Sequence, residues 1–193
     1  MAALIGSNQI RTAVFISGTG SNLKNLIKFS KTKKSPILIN LILSNKKKAK
    51  GLQYAKIFKI KKKIFNFKNN SITEKKILLL LKKNKINLIC LAGFMRILSK
   101  NFIKNFKGQI LNIHPSLLPQ FKGLNVHERV LKSKKKYSGC TVHFVNSKLD
   151  SGKIILQKKI RIKKNDTSKS LAKRILTQEH KLYPKAIMKI FNL

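Results

Sequence analysis

Asn112 and His114 lie two residues apart within 108–121, a stretch free of Lys, Arg, Asp and Glu in a chain that carries 44 basic residues. A strand buried on both faces excludes charge, but that does not account for an amide and an imidazole. On a strand these two side chains project from the same face. They also sit at the strand's C-terminal end, where open α/β sheets bind ligands. An amide donor beside an imidazole can polarise a carbonyl and stabilise a tetrahedral oxyanion. The plainer alternative is a hydrogen-bonded pair of polar residues closing a core strand.

Acids are scarce enough for each to need a reason: the chain has five, Glu74, Glu128, Asp150, Asp166 and Glu179. Glu74 and Glu128 fall in or near helix first turns, where the dipole favours an anion. Asp166, before Thr167, reads as a helix cap. Asp150, in Leu149-Asp150-Ser151-Gly152, has no helix start to explain it. A carboxylate there can orient a histidine and raise its pKa, as general acid–base sites require. Glu179, in Thr177-Gln178-Glu179-His180, falls mid-helix and can hydrogen-bond sugar hydroxyls. For both, turn stabilisation or a salt bridge to one of many lysines is the competing explanation.

The third constellation is Ser17-Gly18-Thr19-Gly20-Ser21-Asn22-Leu23, between a strand and a helix. Glycines permit the tight turn, and N–H groups at the helix start suit a phosphate. A dinucleotide fingerprint needs a third glycine and an acid after the next strand, where Leu23 and Ser44-Asn45 stand instead. The Lys-Ser/Thr pair of a triphosphate loop is missing too. The loop therefore reads either as a monophosphate site assisted by Ser21 and Asn22, or as a plain turn capped by Ser21.

Positioning these groups falls to alternating elements. Apolar runs at 12–17, 37–43, 63–67, 86–92 and 109–113 read as strands, and 21–29, 48–60, 73–83 and 99–106 as helices. That alternation predicts an α/β fold with a mostly parallel sheet covered by helices on both faces. After a Pro- and Gly-marked connection and a helix at 126–133, strands at 139–146 and 154–162 form an antiparallel hairpin-like addition. A helix over 167–190 closes the chain, kinked or interrupted by Pro184.

Composition narrows the rest. The 193 residues are 42% apolar and 25% charged, as expected of one folded domain over 1–193 with 1–10 as a poorly ordered extension. No apolar run approaches the ~20 residues of a membrane span, and the first ten residues lack signal-peptide character, so a cytoplasmic location is expected. Cys90 and Cys140 lie in apolar strands and read as buried free thiols. The four histidines lack metal-ligand spacing, so no metal is expected. The formal charge of +39 invites a nucleic-acid reading. Yet 39 of the basic residues are Lys and five are Arg, spread in short runs with no arm or tail. Guanidinium forks are favoured where planar phosphate or base contacts matter. A solvated lysine surface is the better account, so neither a specific nucleic acid nor a membrane is expected as partner.

Six segments, ISGTGSNL (16–23), LAGFMRILS (91–99), LNIHPSLLP (111–119), GCTVHF (139–144), LDSG (149–152) and TQEHKLYP (177–184), together resemble the glycinamide ribonucleotide formyltransferase family of purine biosynthesis. They occur in family order from about Arg11 to Phe191. The resemblance implies a mononucleotide-binding (Rossmann-like) sheet and metal-independent transfer of a formyl group from 10-formyltetrahydrofolate to the amine of glycinamide ribonucleotide. It assigns catalysis to Asn112, His114 and Asp150. It places the substrate phosphate on Gly20, Ser21, Asn22, Leu23 and Lys24, and the ribose on Glu179. The folate falls to Met95, Arg96, Ile97 and Leu98, with Asn112 also touching it. It implies small-molecule partners and a monomer or homodimer. Direct amine attack is expected, with Asn112 and protonated His114 stabilising the oxyanion, Asp150 favouring the imidazolium, and water near Asp150 relaying the proton to the departing folate nitrogen. Departures are Asn125 where histidine is frequent, Ser151 in place of the first glycine of Asp-Gly-Gly, and no arginine in 66–73, where Lys68 is the stand-in. Two rivals are a methionyl-tRNA formyltransferase-like enzyme, which carries a C-terminal tRNA-binding domain that this chain lacks, and a Lys-rich nucleic-acid-binding α/β protein. A formyltetrahydrofolate hydrolase would carry an additional N-terminal domain.

Overall fold

Strand and helix alternate as expected. The order is β1 (Ile10–Ile16), α1 (Ser21–Ser30), β2 (Ile37–Ser44), α2 (Gln53–Ile57), β3 (Lys61–Ile64), α3 (Asn70–Lys83), β4 (Leu88–Leu91), α4 (Lys100–Asn105), β5 (Gln109–His114), α5 (Val126–Lys132), β6 (Tyr137–Phe144), β7 (Ile154–Arg161) and α6 (Ser168–Ile190). The structure, a computed structural model, describes residues 9–193. The strands hydrogen-bond in the order β3-β2-β1-β4-β5-β6-β7 as one seven-stranded sheet. The pairings β1–β2, β1–β4 and β2–β3 are parallel, whereas β6–β7 is antiparallel. The fold is therefore the mostly parallel α/β sheet with an antiparallel C-terminal addition. The expected extension 1–10 lies outside the described residues except for Gln9, which donates to the Ser35 carbonyl, and Ile10, which starts β1.

Two compact units divide the chain, the first ending at Leu111 and the second running Asn112–Leu193. In the first, the apolar runs 13–16, 41–43 and 88–90 are fully buried, as strands enclosed on both faces must be. Helix α1 buries Leu23, Leu26 and Ile27, the three- and four-residue spacing of one helical face. In the second unit, α6 buries Leu171, Ile175, Leu182, Tyr183, Ala186 and Ile187 and packs on β6 and β7.

Three expectations about elements are corrected. The helix expected over 48–60 is a 3-10 turn, Lys50–Leu52, followed by the single turn and a half of α2. A Schellman closure ends α2: Lys59 is left-handed (φ 54°), and the Ile60 N–H reaches back to the Ala55 carbonyl. Lysine there, and again at Lys85 after α3, takes a position usually given to glycine. The following strand starts at Lys61 rather than 63 and is short, its four residues all exposed at the outer edge of the sheet. Finally, Pro184 does not interrupt α6, which runs unbroken through it. A mid-helix proline costs ~3 kcal/mol, and the fully buried Tyr183, Ala186 and Ile187 beside it outweigh that cost.

Both cysteines are buried and neither is in a disulfide, as expected. Burial pushes the Cys140 thiol up to about 12, so it packs as an inert apolar side chain. Among the described residues no helix is long and apolar enough to cross a membrane.

Candidate active site

The second unit begins with the end of β5, and there Asn112, His114 and Asp150 meet. The His114 Nδ1 lies 3.3 Å from Asp150 Oδ2, with both side chains largely buried. Its Nε2 stands 2.9 Å from the Phe121 carbonyl. A carbonyl oxygen only accepts, so Nε2 carries a proton. The Asn112 amide donates to Asp150 Oδ1 at 3.4 Å and to His143 Nε2 at 3.2 Å. The His143 Nδ1 faces the Phe144 carbonyl at 2.7 Å, which fixes its proton on Nδ1 and leaves Nε2 to accept from Asn112. Asp150 also accepts the Gly123 backbone N–H at 2.9 Å.

Electrostatics correct one expectation. Asp150 does not raise the His114 pKa above its ordinary value. Burial lowers it, and the Phe121 carbonyl and Asp150 offset that only in part. Burial also pushes the Asp150 carboxyl upward, but the neighbouring His143 imidazole, the Gly123 N–H bond and the His114 imidazole hold it below the usual range. The Asp150 carboxyl thus faces, at 3.3 Å, an imidazole nitrogen whose protonation burial disfavours and the carboxylate favours.

Local geometry explains how these groups are held. A register shift between Val142 and His143 in the β6–β7 pairing is a bulge, which re-aims side chains at a sheet end. Thr141 and Gln157 are direct cross-strand partners joined at 2.8 Å. The Thr141 hydroxyl donates to the Ser116 carbonyl and accepts the Leu118 N–H, while Gln157 donates to the Leu118 carbonyl. These bonds anchor the connection between His114 and Phe121, and so the carbonyl that holds Nε2. Asp150 itself is left-handed (φ 45°). Of the two residues after it, Gly152 is the one packing demands, since a Cβ there would lie 1.7 Å from the Phe144 carbonyl oxygen. Ser151 therefore replaces a glycine without penalty, donates to the Leu149 carbonyl, and is bridged by the Lys122 ammonium. Glu179 is buried within α6.

In the first unit, the glycine loop opens into α1 without a side-chain cap. The N-cap is Gly20 (φ 74°), not Ser21. A Cβ on Gly20 would stand 2.6 Å from the Gly51 Cα, so the close approach of two backbones demands glycine on each side. Uncapped first-turn N–H groups with no acid nearby suit an anion. Asn22 and Leu23 are buried, while Lys24 is exposed with its ammonium over the Tyr54 ring.

The segment 95–98 is pinned at several points. The Met95 N–H donates to the Ser17 hydroxyl at 2.7 Å. The Arg96 guanidinium donates to Asn70 and the Phe67 carbonyl and stacks over the Phe67 ring. Leu98 is buried, whereas Met95 and Ile97 are 58% and 68% exposed. Two bare apolar side chains on a fixed backbone form a surface suited to a flat apolar ligand.

Glu74 holds the far end of that segment, a role its sequence position does not suggest. It is not in the first turn of α3 but buried, accepting the Ser99 N–H at 2.9 Å and the Ser99 hydroxyl at 2.5 Å. Ser99 caps α4 by accepting the Phe102 N–H. In a capping box the third helical residue returns a bond to the cap N–H; here that residue is buried Phe102, and Glu74 supplies the bond from α3. Glu128 does sit in the first turn of α5, paired with Lys132. Asp166 is not the cap of α6, which is Thr167; it accepts from Lys163 N, Ser170 and Arg174 instead. His143 is the other functional neighbour that sequence reading passed over. Its only signal was a histidine within the apolar strand GCTVHF. Among the described residues no group of three or more His, Cys, Asp or Glu is arranged to hold a metal.

Comparison with known proteins places these elements in context. Residues 10–187 match the formyl transferase family. The chain is 44% identical over 180 residues to the human trifunctional purine biosynthetic protein adenosine-3, covering 92% of this chain and 18% of that protein. It thus spans under a fifth of the length of that animal relative. It is 41% identical over 180 residues to the phosphoribosylglycinamide formyltransferase of Haemophilus influenzae, covering 92% of this chain and 85% of that one. The crystal structure of the Brucella melitensis phosphoribosylglycinamide formyltransferase superposes with a TM-score of 0.89 at 42% identity, over 95% of each chain.

Proposed function

The chain belongs to the formyl transferase family, and we propose that it moves a formyl group from 10-formyltetrahydrofolate to the amine of phosphoribosylglycinamide in purine biosynthesis. The reading treats the described residues as one formyltransferase domain, because the family match runs through both units. The observation that carries it is the joint engagement of Asn112, His114 and Asp150, buried at the end of a strand. Amide, imidazole and carboxylate are the groups needed to stabilise an oxyanion while a proton changes hands.

The substrate amine forms a bond to the formyl carbon, and the carbonyl electron pair moves onto oxygen. Nε2–H of His114 and Nδ2–H of Asn112 stabilise that oxyanion. The Phe121 carbonyl now holds Nε2, so the formyl oxygen takes over a position already served by an acceptor. The two bonds of the Asn112 amide are long, at 3.2 and 3.4 Å, and one is readily exchanged for a developing anion. As charge builds, Nδ1 of His114 accepts the proton that the amine gives up, against the Asp150 carboxylate, and later releases it. Collapse of the intermediate breaks the bond to the folate nitrogen, which receives, through water beside Asp150, the proton given up by the amine.

Gly20 to Lys24 hold the substrate phosphate on the uncapped start of α1, and Glu179 accepts from the ribose hydroxyls. Met95, Arg96, Ile97 and Leu98 receive the folate through backbone groups and the exposed Met95 and Ile97 side chains.

Purified protein supplied with 10-formyltetrahydrofolate and phosphoribosylglycinamide is expected to deformylate the folate, followed by absorbance, with stoichiometric formylation of the amine. Turnover with charged initiator tRNA alone, or with neither acceptor, overturns the reading.

A further inference from the structure

Ser17 ends the run of β1 into the glycine loop and is itself 4% exposed. Its hydroxyl is used fully. It donates to Asn45 Oδ1 at 2.6 Å and accepts the Met95 N–H at 2.7 Å, while its own N–H donates to the Gly93 carbonyl at 3.1 Å. One residue onward, the Gly18 carbonyl accepts the Gly51 N–H at 3.0 Å, and Gly20 packs against Gly51 without room for a side chain. A single buried hydroxyl therefore ties the base of the anion-suited loop to the first residue of the segment 95–98. A Ser hydroxyl has one proton to donate. Rotation to lose either bond gives up a part-buried hydrogen bond, to the Met95 N–H or to the Asn45 amide oxygen.

We propose that Ser17 is a positioning residue that couples the two ligands: through its paired hydrogen bonds, occupation of the phosphate loop fixes the folate segment, and occupation of the folate segment fixes the loop. This rests on the reading above that residues 20–24 and 95–98 hold phosphoribosylglycinamide and folate. Ser17 itself lies in neither 20–24 nor 95–98. Each ligand that orders its own strip lowers the cost of ordering the other, and the effect is equal in both directions because coupling free energy is reciprocal.

The test is titration calorimetry with phosphoribosylglycinamide and with tetrahydrofolate, the deformylated donor that cannot react, each alone and in the presence of the other. In the wild-type protein each ligand is expected to tighten the other about fivefold, the lower range of measured couplings. In Ser17→Ala the factor is expected to fall to about one, with both KM values rising together while kcat stays within about threefold. Ser17→Thr keeps the hydroxyl and is expected to keep the coupling, which a purely packing role for Ser17 does not predict. Thermal unfolding checks that each variant is folded; if Ser17→Ala is not, Asn45→Ala removes one arm of the bridge and is expected to reduce the coupling. Independent binding in the wild type, unchanged coupling in a folded variant, or weakening of one ligand alone overturns the proposal while leaving the functional assignment intact. A wild-type protein that binds neither ligand overturns the assignment itself, and the proposal with it.

Discussion

Asp150→Asn is the substitution that most directly probes the proposed catalytic cluster. It preserves shape and keeps one oxygen to accept the Gly123 N–H, now at 2.9 Å from the carboxylate. What it removes is the negative charge 3.3 Å from His114 Nδ1. Two unit charges at that separation attract by about 5 kcal/mol at an effective dielectric of ~20. The neutral amide retains a dipole and can donate to Nδ1, and small residual hydration screens the pair, so about half of that is expected to be lost. About 2.5 kcal/mol at the transition state corresponds to a fall in kcat of about 70-fold. Because the charge matters only once His114 accepts its proton, KM for both substrates is expected to stay within about twofold. Steady-state formyl transfer measured by folate absorbance resolves both parameters. A variant whose kcat stays within threefold of wild type, or whose loss lies wholly in KM, refutes the reasoning that Asp150 acts by favouring the imidazolium.

Glu74→Ala is expected to destabilise the fold by about 2–3 kcal/mol, because it leaves the Ser99 N–H and hydroxyl without their charged acceptor; a thermal melt is expected to fall by roughly 4–12 °C for a chain of this size, and an unchanged melting temperature contradicts the tertiary cap. Acidification is expected to weaken the fold between about pH 7 and 5. Burial lowers the pKa values of His114, His127 and His180 in the folded state, so the unfolded chain binds more protons there and stability drops as pH falls through the ordinary histidine value near 6.5. Urea unfolding at a series of pH values tests this, and stability that is flat or rising on acidification rules it out.

The proposed catalytic cluster is legible because its residues are exceptional against their background. An amide and an imidazole two apart in an uncharged strand, and an acid with no helix to serve, stand out in any lysine-rich chain. The mostly parallel sheet is legible from strand–helix alternation and apolar runs, whereas the strand order is not. Less visible were features set by contacts distant in sequence. Glu74 reads as a helix-start acid until Ser99 is seen to need a reciprocal partner that Phe102 cannot supply. His143 carries only a weak local signal, a histidine in an apolar strand, and it lies beside a register shift in β6–β7. The His114 pKa was misjudged since spacing reveals its charged neighbour but not the depth of its burial. Pro184 marks a helix break by local rules, and only the buried residues around it keep α6 continuous.

The short strand β3 has a bearing on how this chain survives at high concentration. It offers the sheet an open outer rim whose residues Lys61, Lys62 and Lys63 are all exposed. An open rim of unpaired N–H and C=O groups is a template for another molecule's strand, the first step toward fibrillar association. Two copies meeting rim to rim would bring like-charged ammonium groups to within the ~4.8 Å spacing of neighbouring strands, and repulsion at that distance opposes the contact. The lysine excess thus acts here as a gatekeeper against self-templating. Exchanging those three lysines for threonine would leave the fold its strand and remove its guard.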